Sequence, residues 1–331
     1  MTEQVSVVEQ AIDAHHSYKA AGNTDTAREY RRHIRRFVQY LEEETDVGIE
    51  DCHSGHVEDF YQHMLNEQGY APSSIRVAHA AISDLYSTIE KFGENGRRGF
   101  PQMDVGDDPT EHATPERIDG MFSDSKKEVE GGEKPLEIHE VRRLVNHVPA
   151  PTVRNELIVR LLYQTGIRRS ELVRIKISHI DRDSRKIAIY GKKTDESRTV
   201  WYHGTLDSLL SMWLEADRNE VFYAEESEYL FPTRRQVRMD EQTVTDVVTT
   251  AAENAGLQET VYENRGGQKV KRVGAHTLRK SFGVHFINDG GDISLLADLL
   301  GHDDIETTKE NYLKYSDTDL QKSVRRHGPH I

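Results

Sequence analysis

Apolar positions recur at intervals of three and four over the first 93 residues, which predicts that this region is helical throughout. One helix is expected to begin at Thr24 and Asp25, whose side chains suit a capping position. Another is expected from Pro72, and residues 56–65 carry a shorter amphipathic pattern. The predicted core positions of the two longer helices are Ile34, Phe37, Val38, Leu41, Ile75, Ala78, Ile82, Leu85 and Ile89. Residues 1–93 are therefore predicted to form a helical domain.

The periodic pattern stops between residues 94 and 133, where glycine, proline and acidic residues are scattered. An aperiodic stretch of this length is unusual inside one compact domain, so we expect an acidic, flexible linker. The pattern resumes over residues 134–331, where Lys186–Tyr190 and Arg198–Tyr202 alternate with period two and predict a β-hairpin. The helices predicted there lie at 138–146, 152–165, 243–255, 276–288 and 293–300. The expected fold class is mainly α with a small antiparallel β-sheet (α+β).

Charge is unevenly distributed along the 331 residues, whose net charge is −14. Residues 101–133 contain 10 acidic and 3 basic side chains, and residues 213–229 contain 6 acidic and 1 basic. Most of the negative charge thus lies in two stretches, and the rest of the chain is nearly neutral. Arginine outnumbers lysine by about two to one, and its planar fork suits bidentate contacts with phosphate. The acidic total therefore does not exclude a nucleic-acid partner.

Cysteine content and hydropathy limit the class of protein. The single cysteine, Cys52, excludes an internal disulfide framework and a four-cysteine zinc site. No apolar run reaches the roughly 18 residues that a membrane span needs, and Met1–Gln4 lacks the basic-then-apolar order of a secretory signal. We expect a cytoplasmic protein without membrane association. His53 and His56 beside Cys52 suggest zinc ligands, but a fourth ligand is missing nearby, so we expect no metal and a helix start instead.

Four short segments of the C-terminal part contain residue types that bind or cleave phosphate esters. Arginine pairs stabilise anionic charge, while lysine and histidine transfer protons and tyrosine can be a nucleophile. Taken singly, each segment is also typical of a local ion pair, an exposed turn, a solvated basic loop or a packed tyrosine. The candidate catalytic residues, in chain order, are Arg168, Lys192, His276, Arg279, His302 and Tyr312, with Glu171 in support of Arg168.

Two basic surfaces are candidates for contacts with DNA. Residues 28–36 place arginines at helical spacing opposite the apolar face, and the alternative interpretation is a solvated face. Residues 264–280 contain several basic side chains and no acidic one, which favours phosphate binding there. We hypothesise that Arg76 and His79 approach a groove of a bound DNA duplex. The predicted DNA-binding residues are Arg28, Arg31, Arg32, Arg35, Arg76, Lys271 and Arg272.

These segments resemble the motifs of the tyrosine recombinase family, which comprises phage integrases and Xer-type site-specific DNA recombinases. Thr165–Leu172 is similar to the family's first arginine motif, and Gly191-Lys192 is similar to its hairpin lysine. His276–Arg279 and Leu299–His302 are similar to its His-x-x-Arg and Leu-Gly-His motifs. The resemblance is strong over residues 135–316. It is weaker over residues 24–92, where it implies a helical core-binding domain preceding the catalytic domain.

The position of the nucleophile departs from the pattern of many members. They carry it nine positions after the histidine, which here is Asn311, whereas Tyr312 lies one step later. Some integrase-like members also have the later spacing. Tyr312 is therefore the expected nucleophile, and Tyr315, one helical turn further on, is the alternative.

The resemblance implies that double-stranded DNA is cut and rejoined through a 3′-phosphotyrosyl intermediate without metal, ATP or another cofactor. Arg168, Arg279 and His302 would stabilise the charge on the phosphate oxygens. His276 would assist the loss of the tyrosine proton, and Lys192 would protonate the departing 5′-oxygen. The absence of a G-x-x-x-x-G-K-[ST] loop from the sequence is consistent with a reaction that needs no ATP.

The resemblance also implies an assembly. Glu171 would orient Arg168 or a histidine, and the active form would be a homo-tetramer on two DNA sites, with a monomer or weak dimer in the absence of DNA. Two alternatives stay open, a type IB topoisomerase and a DNA-binding factor that does not cleave. The short chain and motif spacing favour a recombinase over the first, and the presence of Lys192 and Tyr312 weighs against the second.

Overall fold

The computed structural model describes residues 6–113, 115, 134–191, 197–263, 269–302 and 305–312. The chain divides into two compact units, which are Met1–Gly131 with Tyr262–Val270, and Gly132–Val261 with Lys271–Ile331. Within the described ranges, no helix is both long enough and apolar enough to cross a lipid bilayer.

Helices form the N-terminal unit, as the apolar periodicity predicts. In its described part they are α1 (Val7–Ala20), α2 (Thr24–Glu44), α3 (Ser54–Asn66) and α4 (Pro72–Phe92). All predicted core residues of α4 are buried, and in α2 Ile34, Phe37 and Leu41 are buried while Val38 is half-buried. The amphipathic stripe of each helix therefore faces a shared core.

The cap of α2 differs from the prediction. Asn23, and not Thr24 or Asp25, accepts hydrogen bonds from the backbone N–H groups of Asp25 at 3.0 Å and Thr26 at 3.3 Å. Asn23 has the extended backbone that a capping residue needs, whereas Thr24 already lies within the helix.

The core of the N-terminal unit continues beyond residue 93. Phe100, Val105 and Ala113 are buried in it, and the Phe100 ring lies 5.8 Å from that of Phe92. Residues 94–113, predicted as the first half of the linker, thus pack onto the helices, because three apolar side chains spread over 14 residues suffice without periodicity. Residues 116–133 lie outside the described ranges.

The C-terminal unit combines helices with a small antiparallel sheet. Its described helices are α5 (Ile138–Val145), α6 (Thr152–Thr165), α7 (Arg169–Leu172), α8 (Asp207–Glu215), α9 (Glu241–Asn254), α10 (Ala275–Asn288), α11 (Ile293–Leu300) and α12 (Ile305–Tyr312). The antiparallel sheet has the order β1 (Ile180–Asp181), β2 (Lys186–Tyr190) and β3 (Ser197–Trp201), as the alternation predicts. Thr260–Glu263 (β4) and Lys269–Lys271 (β5) form a second, two-stranded sheet.

Replacing Phe100 by alanine tests whether residues 94–113 belong to the N-terminal core. Because Phe100 is buried, the F100A variant should lose about 3–5 kcal/mol of unfolding free energy, as measured by urea denaturation followed by circular dichroism. The nearby Gln102 is exposed, so Q102A is the control and should unfold like the unmodified chain. Equal urea midpoints of unfolding for F100A and Q102A would contradict the packing of residues 94–113 onto the helices.

Candidate active site

Four of the predicted catalytic side chains converge in the C-terminal unit. Arg168 follows the end of α6 and immediately precedes α7, and Arg279 lies on the second turn of α10. His302 follows α11, and Tyr312 ends the described part of α12. Hydrogen bonds and ring contacts connect these four residues, although they lie up to 144 positions apart in the sequence.

The carboxylate of Glu171 binds two arginines at once. Its Oε2 atom accepts from the backbone N–H of Arg168 at 2.6 Å, and its Oε1 atom accepts from the Arg168 guanidinium at 3.2 Å. Arg198 donates to both carboxylate oxygens at 2.8 Å. Burial would raise the pKa of Glu171, but the hydrogen bonds and charges of Arg198 and Arg168 lower it overall. Glu171 is therefore an ionised anchor that orients Arg168.

Backbone carbonyl groups at helix ends hold the other guanidinium groups. Arg279, which is 2 % exposed, donates to Gly166 O at 2.7 Å and to Leu300 O at 2.8 Å. Arg168 donates to Gly301 O at 3.0 Å. Gly166 and Gly301 end α6 and α11 in the left-handed conformation, which turns unpaired carbonyl groups toward the arginines. Burial and the charge of Arg168 lower the pKa of Arg279 to about 10.

His302 accepts a hydrogen bond from Arg279. Its Nε2 atom lies 3.0 Å from a guanidinium nitrogen of Arg279, which has only N–H donors, so Nε2 must be the acceptor. The ring proton then resides on Nδ1, which lies 2.7 Å from the hydroxyl oxygen of Thr308 and donates to it. Burial and the charges of Arg279 and Arg168 lower the pKa of His302 to about 4. The imidazole is therefore neutral near pH 7.

Tyr312 is buried beside these groups. Its ring stacks on that of His302 at a centroid distance of 6.2 Å, and only 2 % of the residue is exposed. Burial raises the pKa of the Tyr312 hydroxyl, and the charge and hydrogen bond of Arg279 partly offset this. The ring also lies directly against Gly283 of α10, where a Cβ atom would overlap it. Gly283 therefore provides the space in which Tyr312 docks.

Three further predicted positions are His276, Lys192 and Tyr315. His276 lies at the first turn of α10 and is exposed, unlike Arg279 three residues later, although its charge contributes to the lowered pKa of His302. Lys192 and Tyr315 lie outside the described residues.

Arg198 and Gly283 are site residues that the sequence pattern did not reveal. Arg198 also donates to Leu299 O at 2.8 Å, so it connects Glu171 to the end of α11. In β3 it has the same parity as the buried Val200 and thus points to the inner face of the sheet. A buried arginine on the inner face of a sheet needs a carboxylate partner. The alternation in β3 could therefore have indicated that Arg198 has a buried acidic partner.

The arginines of α2 are engaged by carboxylates. Arg31 and Arg35, which were predicted to contact DNA, form ion pairs with Asp13 and Glu9 of α1. Both guanidinium groups are therefore already paired with carboxylates of α1, although 49% of the Arg35 side chain is exposed.

Arg28 and Arg32 are held more weakly. They pair within α2 with Asp25 at 3.7 Å and Glu29 at 3.5 Å, and more than half of each arginine side chain is exposed. Such exposed ion pairs contribute little to stability, so these two arginines can exchange partners at low cost.

The remaining predicted DNA contacts lie in different surroundings. Arg272 is directed to Glu140 at 2.9 Å and only 22 % of its side chain is exposed, whereas Lys271 pairs with Glu253. Arg76 lies on helix α4 of the N-terminal unit, as does His79. The hydroxyl oxygen of Tyr61 lies 2.9 Å from Nδ1 of His79.

The histidines beside Cys52 begin a helix. His53 is the N-cap of α3 and accepts from the backbone N–H of Gly55 at 3.1 Å, and His56 accepts from His53 N–H at 3.3 Å. In the ranges that the structure describes, no group of three or more metal-ligating side chains is assembled.

Two family models match the sequence. Residues 134–318 match the model of the phage integrase family, and residues 9–92 match the phage integrase N-terminal SAM-like domain. The first match alone covers more than half of the chain.

The chain is similar to tyrosine recombinases along most of its length. Tyrosine recombinase XerC of Roseiflexus castenholzii is 26% identical over 312 residues, which cover 93% of this chain and 88% of the relative. Tyrosine recombinase XerA of Thermococcus kodakarensis is 28% identical over 302 residues, which cover 91% of this chain and 88% of the relative.

Solved structures share the fold. The XerH site-specific recombinase bound to a palindromic difH substrate superposes with a TM-score of 0.67 at 20% identity, covering 91% of this chain and 80% of that one. The Tn1549 transposon integrase in complex with transposon right end DNA has a TM-score of 0.69 at 14% identity, covering 98% and 100%.

Replacing Gly283 by alanine should expel the Tyr312 ring from its position. The added Cβ atom would overlap the ring, and overpacking of this kind typically costs about 1–3 kcal/mol. Nitration by tetranitromethane, mapped by mass spectrometry, should modify Tyr312 in G283A at a rate similar to that of the half-exposed Tyr190. In the control G274A, where nothing lies within 4 Å of the new Cβ atom, Tyr312 should stay protected. Equal protection in both variants would contradict the docking role of Gly283.

The lowered pKa of His302 predicts a pH dependence. The unfolded imidazole titrates near 6.5 and the folded one near 4, so the unfolded chain binds more protons between these values. This group should therefore reduce stability as the pH falls from 6.5 to 4. Histidine NMR signals of the DNA-free protein, recorded against pH and assigned with H302Q, should show this titration near pH 4. A midpoint near 6.5 would contradict the buried arrangement with Arg279.

Proposed function

The chain belongs to the phage integrase family, and we propose that this site-specific DNA recombinase cuts and rejoins DNA through a 3′-phosphotyrosyl intermediate on Tyr312. The observation that carries the proposal is the meeting of Arg168 and Arg279 at Leu300 O, with Tyr312 stacked on His302 beside them. Two guanidinium groups next to a tyrosine hydroxyl are the arrangement that an attack on a phosphodiester requires.

The arginines supply electrostatic stabilisation. Attack at phosphorus places additional negative charge on the non-bridging oxygens, and fixed cations stabilise this charge without reorganising during the reaction. Arg279 is fixed by two carbonyl groups and Arg168 by Glu171 and Gly301 O. In the proposed mechanism these positive charges act on the scissile phosphate in place of a metal ion.

The covalent step exchanges one phosphate ester for another. The Tyr312 oxygen forms a bond to phosphorus while the bond from phosphorus to the 5′-oxygen breaks. The tyrosine proton passes to His276, and Lys192 protonates the departing 5′-oxygen, roles that rest on the resemblance of their motifs. A 5′-hydroxyl of a partner strand then attacks the phosphotyrosine, which restores both the diester and the tyrosine without ATP.

His302 changes its hydrogen bonding when the phosphate enters. In the structure it is neutral and accepts from Arg279. A phosphate anion between the two would raise the pKa of His302 and attract the guanidinium, so that His302 becomes a donor to the phosphate. The same anion would raise the pKa of the Tyr312 hydroxyl, whereas the positive charge of Arg279 lowers it, so Arg279 must remain close to the hydroxyl.

Duplex DNA is the proposed partner, and both units are proposed to bind it. Arg28, Arg32 and Arg76 of the N-terminal unit are the favoured phosphate contacts there, since the α1 carboxylates already hold Arg31 and Arg35. Lys271 and Arg272 would first have to leave their glutamate partners. The named relatives are recombinases, and two of the structures with this fold contain DNA.

The proposed active form is a homo-tetramer on two DNA sites, with a monomer or weak dimer before DNA binding. The proposed organisation is a helical core-binding domain over residues 1–93 with 94–113 packed onto it, a linker ending at 133 and a catalytic domain from 134, and the matched segments 9–92 and 134–318 support it. A cytoplasmic location completes the proposal. Neither topoisomerase activity nor binding without cleavage is favoured by an observation on this chain.

A nicked suicide substrate tests the function. The recombination site would first be identified by sequencing DNA that becomes covalently attached to the protein. A duplex containing this site would then carry a nick beside the cleavage position, so that the short fragment with the 5′-hydroxyl can escape after cleavage. The unmodified chain should accumulate an adduct on denaturing gels. Tyr312→Phe should abolish it because the nucleophilic oxygen is missing, while Tyr315→Phe should form it at the unmodified rate.

If Tyr312→Phe forms the adduct and Tyr315→Phe does not, Tyr315 is the nucleophile. No adduct in the unmodified chain would contradict the proposed cleavage reaction, and an adduct in both single variants would contradict the assignment of either tyrosine alone.

A further inference from the structure

A second cationic pocket opens next to the candidate active site. It has a volume of about 400 Å³ and lies between the segment after α7, the sheet strand β2 and the loop before α9. Glu171 forms part of its wall, and Gly191, just before the predicted hairpin lysine, forms another part. The side chains that characterise it are Arg174, Lys176, His179, Tyr190, Tyr229 and Arg238.

The pocket is positively charged although the chain is acidic. In the part of the chain that the structure describes, neither the Arg174 nor the Arg238 side chain has an ion-pair or hydrogen-bond partner. Lys176 pairs with Glu228 at 2.8 Å, and this glutamate is 60% exposed. The other carboxylate, Glu171, is already neutralised by Arg198 and Arg168. Among the residues that the structure describes, two cations therefore face the pocket without a charged partner.

The tyrosine Tyr229 positions two of these cations. The Arg238 guanidinium lies over its ring at 5.6 Å and the Lys176 ammonium at 6.0 Å, both within cation–π distance. On the opposite side, His179 packs on Tyr190 at a centroid distance of 4.6 Å. The aromatic rings thus support the walls and the charged groups rather than offering an apolar cavity, so the chemistry of the pocket suits an anion.

We propose that this pocket binds backbone phosphates of the DNA strand that passes through the active site, close to the scissile phosphate. Arg174 and Arg238 contact these phosphates directly, and Lys176 exchanges Glu228 for one of them. The assignment rests on the proposed function, because the pocket shares Glu171 with the catalytic cluster and ends at Gly191, beside the predicted hairpin lysine. Its cations fix the position of the strand and take no part in the chemical step.

Salt-dependent DNA binding tests the proposal. Each phosphate contact contributes about 0.9 to the slope of log K against log salt for duplex DNA, so R174Q/R238Q should lower the slope by about 1.8. Fluorescence anisotropy with a labelled duplex measures it. The matched control is R234Q/R235Q, which removes the same charge from exposed arginines of the same loop that do not line the pocket. The control should keep the slope, and R174K/R238K should restore most of it.

A second variant gives a change in the opposite direction. Glu228→Gln releases Lys176 and should tighten DNA binding several-fold, a gain that a misfolded protein would not show. Equal slopes for R174Q/R238Q and R234Q/R235Q, or unchanged affinity of E228Q, would overturn the proposal. If the slopes differ but the unmodified chain forms no covalent adduct, the pocket binds DNA and the proposed cleavage function is the part that fails.

Discussion

The ion pairs of the buried Glu171 carboxylate are the interaction on which the candidate site depends. Arg168, Arg198 and Arg279 bring three positive charges into one small region, and Glu171 binds the first two directly. Removing one partner of such a buried pair typically costs about 3–5 kcal/mol, because the remaining charge is left uncompensated. Without Glu171, Arg198 and Arg168 would repel each other, and Arg198 would no longer connect β3 to the end of α11. The electrostatic arrangement and the local fold therefore share one anchor.

Carbonyl groups at helix ends provide the remaining compensation. The left-handed glycines Gly166 and Gly301 stop α6 and α11 so that their last carbonyl groups point to the arginines. These carbonyl groups carry the partial negative charge of a helix C-terminus and add no full anion that would repel a phosphate. A side chain at Gly166 would overlap Phe282 and Leu300, so this turn is required for packing as well as for the hydrogen bond to Arg279. The positive charges of the site are thus compensated by groups of the protein itself.

Sequence periodicity predicted the elements well and the long-range contacts poorly. Helix α11 has the predicted bounds, and α4 buries all five of its predicted core residues, because apolar spacing along a helix is a local property. Motif order likewise identified Arg168, Arg279, His302 and Tyr312 as candidates. The contact of Arg198 with Glu171, the pairing of Arg31 with α1 and the packing of Phe100 join segments far apart in the chain, and periodicity contains no information about them.

The position of Gly283 bears on how much the chain between His302 and Tyr312 is free to vary. Gly283 lies one helical turn after Arg279. Helix α10 therefore carries both the Arg279 guanidinium and the surface on which the Tyr312 ring rests. An aromatic residue is then selected by whether its ring reaches this surface and not by a fixed count of residues. In this chain Tyr312, ten positions after His302, is the aromatic residue whose ring reaches that surface.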